Sequence, residues 1–254
     1  MVKQGIIAAA ILTLWGVGAA YGYEAVDVKN GAVLKGVVVF KGTVPAEEPV
    51  IVAKNQEVCG KEQKLGKYLV KDSRVKNAVV WIEDVGKGKA LSRTPVNITL
   101  KGCKAEPLVS AGFVGGKFVF SNEDDIMHTL QLKLGVEYQA KLSGRPVEDG
   151  ATIYNLAFPI KGLRIEKPIK NYYRYSEDTG YIRVKSNTHE TIRGSIFIFD
   201  HPYAAVTDDQ GSFTMDGLLP GEYVLTAWHE GFTTQKQHLT VTSGGAAHVE
   251  IELK

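Results

Sequence analysis

A chain of 254 residues with 44% hydrophobic and 23% charged side chains has the composition of an ordinary globular protein and the length for two modest domains. Its 30 basic and 28 acidic residues leave a formal net charge of +2, too near neutrality to point to nucleic acid or an acidic membrane surface. Nothing in this composition implies disorder.

The chain begins with Lys3 ahead of an apolar run that is shorter than the ~20 residues a membrane-spanning helix needs. The run reads as a secretory signal over residues 1–22, with Ala20 and Gly22 as the small residues before the cut and a mature start near Tyr23. No Cys follows the run directly, which argues against a lipid anchor, and an uncleaved N-terminal anchor is the alternative. After cleavage no membrane span is expected.

From there the apolar runs are short and β-branched: "AVLKGVVVFKG", "NAVVWIEDV", "VNITLKG", "GKFVFSN" and "TLQLKLG". Gly, Pro, Asn and Asp clusters separate them at intervals that predict an all-β sandwich architecture. Helical periods, heptads and solenoid repeats are missing. From Tyr203 onward, "DDQGSF" and "LLPGEY" supply turn chemistry between alternating strands. The strand "YVLTAWHEGF" places Tyr223, Leu225 and Ala227 on one face.

Export gives the two cysteines a meaning, because oxidising compartments convert thiol pairs to disulfides. Cys59 and Cys103 are the only two, so one connectivity is available. A redox or metal role for the pair lacks the close CxxC spacing such thiols usually show.

Several side chains invite a functional reading, each with a plainer alternative. Glu123, Asp124 and Asp125 are consecutive acids, but an EF-hand's Gly and distal Glu are absent, so a solvated turn is the expectation. His128 and His189 could form a thin Zn or Cu(II) site with an oxygen ligand, or simply make loop-end hydrogen bonds. His201 fits an interdomain corner. In "WHE" the strand period sends His229 away from Trp228 and Glu230, which favours structure over catalysis. Tyr172, Tyr173, Arg174 and Tyr175, followed by Tyr181, have the composition of a protein interface, against the alternative that alternate tyrosines are strand core. Serine-hydrolase, Walker and dinucleotide fingerprints are absent, and no enzyme is expected.

The segment "TDDQGSFTMDGLLPGEYVLTAWHEGF" resembles the carboxypeptidase regulatory-like (transthyretin- or prealbumin-like) family in its Thr-Asp-x-x-Gly-x-Phe and Pro-Gly-x-Tyr turns. That family usually opens with strands like "GVVVFKGTVP" and "NAVVWIEDV", which lie far upstream here. The resemblance implies a β-sandwich split into residues 23–94 and 201–254, with residues 95–200 inserted. The inserted block resembles cupredoxins, Greek-key sandwiches, and the combination resembles a bacterial periplasmic group labelled methylamine-utilisation-like. Cys103, Pro107, Asn122, Asp124, His128, His189, His201, Pro202 and Tyr203 stand in the order that group uses.

The departures fall on the chemistry. A type 1 copper centre needs two imidazoles and a thiolate, with a weak axial thioether. His128 and His189 remain as the imidazoles, but Ser186 stands at the thiolate position and Ile192 at the axial one. Leu108 stands where related sequences often have His. The resulting expectation is an exported, non-catalytic binding or assembly protein without a cofactor, periplasmic or at the cell surface. Its partner would be a protein, and the resemblance implies a redox partner such as a multihaem cytochrome. The alternative is a metal-handling protein binding Cu(II) or Zn through His128 and His189.

Overall fold

A computed structural model describes residues 22–135, 150–172 and 180–254. The expected leader, apart from Gly22, lies outside them, as do Tyr173, Arg174 and Tyr175. Among the described residues no helix is long and apolar enough to cross a membrane.

The chain is all-β and folds into β-sandwiches. The middle block builds one of them. One sheet runs Lys104–Glu106, Val96–Lys101, Lys117–Asn122, Arg164–Pro168; the other runs Val109–Phe113, Gly194–Phe199, Gly180–Lys185, His128–Leu134, Thr152–Phe158. Strand His128–Leu134 alternates strictly, its even positions buried. Leu130 and Leu132 thereby meet Phe118, Phe120 and Ile182 in a core between the sheets. Each such side chain taken fully out of water contributes about 1.5–3 kcal/mol.

Strands from both ends of the chain build the second sandwich. Ala32–Val39 lies between Ser212–Leu218, antiparallel to it, and Ala246–Glu252, parallel to it. In the facing sheet Val79–Ile82 lies between Ala204–Val206 and Gly221–His229, and Phe232–Val241 forms the edge. Leu34, Val38, Ile82, Leu225 and Ile251 lie in the core of this sandwich.

Val79–Ile82 is buried on both faces, which an ordinary half-exposed strand is not. Val80 and Ile82 face the core of their own sandwich, whereas Val79 and Trp81 pack against Val109, Phe197 and Phe199 of the other. A sheet from each sandwich thus shares a third apolar layer. At its edge Tyr203, 1% exposed, donates its hydroxyl to the Gly217 carbonyl at 2.7 Å and accepts from the Lys89 N–H at 3.0 Å. Its ring lies where a β-carbon on residue 88 would be, so Gly88 is required there. His201 is buried at this corner, 3% exposed, accepting from the Tyr203 N–H at 3.2 Å.

Tyr172 corrects the interface expectation for that residue: beyond the end of strand Arg164–Pro168 it folds into the core of the middle sandwich and is 5% exposed. Its ring is therefore not available to a partner.

Candidate functional site

One end of the middle sandwich gathers polar side chains. The hairpin joining Val96–Lys101 to Lys104–Glu106 turns through Gly102 and Cys103 at φ of 56° and 59°. Two consecutive left-handed residues make the tight turn whose twist suits a hairpin. Their N–H groups point outward and are taken by the Asp124 carboxylate, at 2.7 Å from Gly102 and 2.9 Å from Cys103. Asn122, fully buried, holds the loop that carries Asp124, accepting from the Asp124 N–H at 3.0 Å and donating to the Ile126 carbonyl at 3.0 Å. The expectation of a solvated acidic turn is corrected here. Glu123 and Asp125 are exposed, but Asp124 is 7% exposed and fully engaged.

The other oxygen contact of Asp124 leads inward. His128 Nε2 donates to Asp124 Oδ2 at 2.8 Å, and His128 Nδ1 stands 3.1 Å from His189 Nδ1. His189 Nε2 in turn stands 3.0 Å from Asn55 Oδ1. Asn55 holds a left-handed conformation, φ 55°, immediately before the single-turn helix Gln56–Cys59, which asparagine tolerates better than most residues. The helix delivers Cys59 to Cys103, and the two form a disulfide. Its sulfurs border the imidazoles: ligand atoms of Cys59, Cys103 and His189 lie within 4.8 Å of one another, as do those of Cys103, Asp124 and His128. Thr191 ties the His189 loop to the same place by donating to the Cys103 carbonyl at 2.6 Å.

Proton bookkeeping constrains this row of four side chains. Asp124 is an acceptor when ionised: burial works against its charge, but the N–H groups of Cys103 and Gly102 and the His128 ring outweigh it and hold the carboxyl below its ordinary value. With both Nε2 atoms donating outward, to Asp124 and Asn55, neutral rings would set two Nδ1 lone pairs against each other at 3.1 Å. A shared proton or a metal ion would relieve that contact, and so would His189 donating from Nδ1 to His128 with the Asn55 amide turned to donate to Nε2. Burial, and then the neighbouring His128, push the His189 imidazole below its usual range.

The predicted residues divide cleanly. His128 and His189 converge. Ser186 does not supply a ligand: its hydroxyl is held by Thr188 at 2.9 Å and Thr129 at 3.1 Å. Ile192 is 1% exposed in the apolar core. The donor set therefore does not fit type 1 copper, since a neutral alcohol and a hydrocarbon replace the thiolate and thioether and the nearby sulfurs are bonded to each other. Asn55 and the placement of the disulfide beside the imidazoles had no sequence signal. Asp124 was marked only by its place after Asn122 in the order of the resembled family, and its residue pattern read as a solvated turn.

A second concave region lies between the two sandwiches, a cleft of about 1000 Å³. Tyr181 and Trp228 face it as partly buried rings packed over Trp81 and Phe197, which are 5% and 3% exposed, with Phe197 and Trp228 4.7 Å apart and Phe197 and Tyr181 4.9 Å apart. Arg193 and Glu230 form an ion pair across it. The second oxygen of Glu230, Oε1, is buried without a hydrogen-bond partner among the described residues, and burial pushes this carboxyl up against the opposing pull of Arg193. His229, beside it, stacks on Phe232 at 4.9 Å and is buried away from acid-base use with Glu230.

Residues 182–254 match the carboxypeptidase regulatory-like domain family. The match begins on Gly180–Lys185 and Gly194–Phe199, strands that pair within the middle sandwich, whereas the sheet partners of the later strands lie at Ala32–Val39 and Val79–Ile82. Similar solved structures include the copper-containing nitrite reductase (NirK) from Thermus scotoductus SA-01, 16% identical over 65% of this chain and 28% of that one, with a TM-score of 0.28. Amicyanin from Paracoccus versutus is 13% identical over 43% of this chain and 85% of its own, with a TM-score of 0.30. A purple cupredoxin from Nitrosopumilus maritimus is 16% identical over 41% of this chain and 99% of its own, with a TM-score of 0.28. No curated protein matches the chain.

Proposed function

We propose that this chain is a non-catalytic binding protein of the periplasm or cell surface, in which a cupredoxin-like frame without type 1 copper is inserted into a split regulatory-like domain. Its binding surface is the cleft between the two sandwiches, and its partner is a protein. The single observation that carries this reading is the cleft itself, an aromatic wall beside a buried carboxylate oxygen that still lacks a donor. Aromatic and Arg side chains around a concave, partly desolvated pocket are what protein interfaces concentrate. Tyr181, the last ring of the Tyr-rich segment, belongs to that wall. A multihaem cytochrome is the partner that the family resemblance implies.

The test is photo-cross-linking in the cells that make the protein, with a benzophenone amino acid at position 228 in the cleft or at position 161, an exposed turn. A discrete adduct from position 228 and none from position 161 is expected. Equal cross-linking from both, or none from either, would remove the cleft from the account.

A specific observation favours a second reading, metal handling by His128 and His189. The Nδ1 atoms of the two rings face each other at 3.1 Å, and each Nε2 lies at hydrogen-bond distance from an outer side chain, Asp124 for His128 and Asn55 for His189, as in the outer contacts that orient metal-bound histidines.

A further inference from the structure

We propose that the cleft between the sandwiches is a slot for an extended segment of the partner protein whose side chains alternate basic and acidic. The proposal rests on the reading of the cleft as the binding surface and adds the chemistry of what that surface recognises.

Three observations carry it. The first is that the two sides of the cleft carry opposite charge. On the side of the middle sandwich Arg183, Lys185 and Arg193 stand against Glu190, a net +2. On the other side Glu47, Glu48, Glu83 and Glu230 stand against Lys67 and Lys236, a net −2. Tyr68 packs its ring where a β-carbon on residue 231 would be, and Glu47 accepts from the Gly66 and Lys67 N–H groups, so this segment belongs to the acidic side. The Arg193–Glu230 ion pair already joins the two sides. The second observation is spacing. Tyr181, Arg183 and Lys185 follow at every second residue of Gly180–Lys185, and Thr226 and Trp228 do so on Gly221–His229, with Glu230 two residues further on in the turn. Side chains two residues apart on a strand project from one face at roughly 6.7 Å intervals, and an extended ligand repeats at the same interval. Lying between the two sides, such a segment sends odd side chains to one and even side chains to the other.

The third observation is an anchor point. Glu230 Oε1 is buried with no hydrogen-bond partner among the described residues, while Arg193 holds the other oxygen. A carboxylate left half-satisfied in a partly desolvated place costs free energy that a further donor recovers. Glu230 lies outside both strands, in the two-residue turn between His229 and Phe232, so its side chain can turn this oxygen to the cleft. The Trp228 ring borders the same space, and a Lys ammonium or Arg guanidinium entering it gains the face of the ring as well as the oxygen. The neighbouring acidic side chains of the segment then meet Arg183 and Lys185 across the cleft, and ion pairs at such partly exposed groups exchange partners at little cost. A segment of one charge sign would satisfy one side and be repelled by the other, which is how the cleft discriminates.

The test uses the purified protein labelled with 5-fluorotryptophan and two peptides of one composition, acetyl-Lys-Glu-Lys-Glu-Lys-Glu-amide and acetyl-Lys-Lys-Lys-Glu-Glu-Glu-amide. Trp228→Phe assigns the fluorine resonance of Trp228, and the resonance of Trp81, a ring 5% exposed in the shared apolar layer, reports the fold. The alternating peptide is expected to shift the Trp228 resonance and to bind about tenfold more tightly than the block peptide, with the difference shrinking as salt screens the charges. Glu230→Gln and Arg183→Gln should each remove that preference while the Trp81 resonance stays in place. Equal affinity for the two peptides, a preference that survives both substitutions, or no shift from either peptide would overturn the proposal. A cross-link from position 228 in cells together with an unshifted Trp228 resonance would remove the alternating segment and leave the cleft as the binding surface. Absence of both would remove both.

Discussion

His201 and His229 are buried imidazoles with no carboxylate bonded to the ring among the described residues, and burial lowers both to about 4 from an ordinary 6.5. A depressed histidine is neutral in the folded state but takes a proton when unfolded, so its contribution is fully present above pH 6.5 and is lost as pH falls towards 4. Each contributes on the order of 3 kcal/mol at neutral pH by this linkage. Urea denaturation should therefore show stability declining steadily from pH 7 to pH 4.5, and the slope should flatten in the His201→Gln, His229→Gln double variant. An unchanged slope would place the acid sensitivity elsewhere. Ile192 belongs to the same scale. It is core rather than a vacated axial ligand, so Ile192→Ala should cost about 2–5 kcal/mol in stability. A loss near zero would mean that the side chain faces the polar end after all.

Local elements explain what the sequence disclosed and what it withheld. Alternation marked the strands well: "TLQLKLG" and "GKFVFSN" become His128–Leu134 and Lys117–Asn122, because period-two burial is written in the residues themselves. The disulfide was also legible, since two cysteines allow one pairing. What stayed hidden depends on tertiary approach. Asn55 sits 134 residues from His189, and only the fold brings its amide to the ring. Asp124 looked like one of three solvated acids because its partners, the N–H groups of a left-handed hairpin turn, have no side-chain signature. The cystine fastens the Asn55 segment to that hairpin across a separation of 44 residues. In the chain-entropy account such a loop contributes about 4 kcal/mol, and the Cys59→Ser, Cys103→Ser double variant should lose roughly that in equilibrium denaturation. A loss near zero would mean the segment is held by its other contacts alone.

At the scale of the whole molecule, the two sandwiches share an apolar layer built on Val79, Trp81, Val109, Phe197 and Phe199. The sequence announced strands of these compositions, but it could not say that "NAVVWIEDV" would be buried on both faces, because an unbroken apolar run fits a strand in either a core or an interface. The shared layer predicts one cooperative thermal transition. Phe197→Ala should lower stability by about 3–5 kcal/mol and separate the calorimetric peak into two, one for each sandwich. A single, merely shifted peak would show that the sandwiches stay coupled by other contacts.

The site's central feature is an imidazole pair without the thiolate and thioether that blue copper requires, and Cu(II) titration of the oxidised protein tests it most directly. We expect no intense visible band and a wide copper hyperfine splitting in electron paramagnetic resonance, because imidazole and oxygen donors give no sulfur-to-copper charge transfer. An intense blue or purple colour with narrow hyperfine splitting would contradict the account, since it would require a thiolate at a position where the structure places Ser186 or a disulfide.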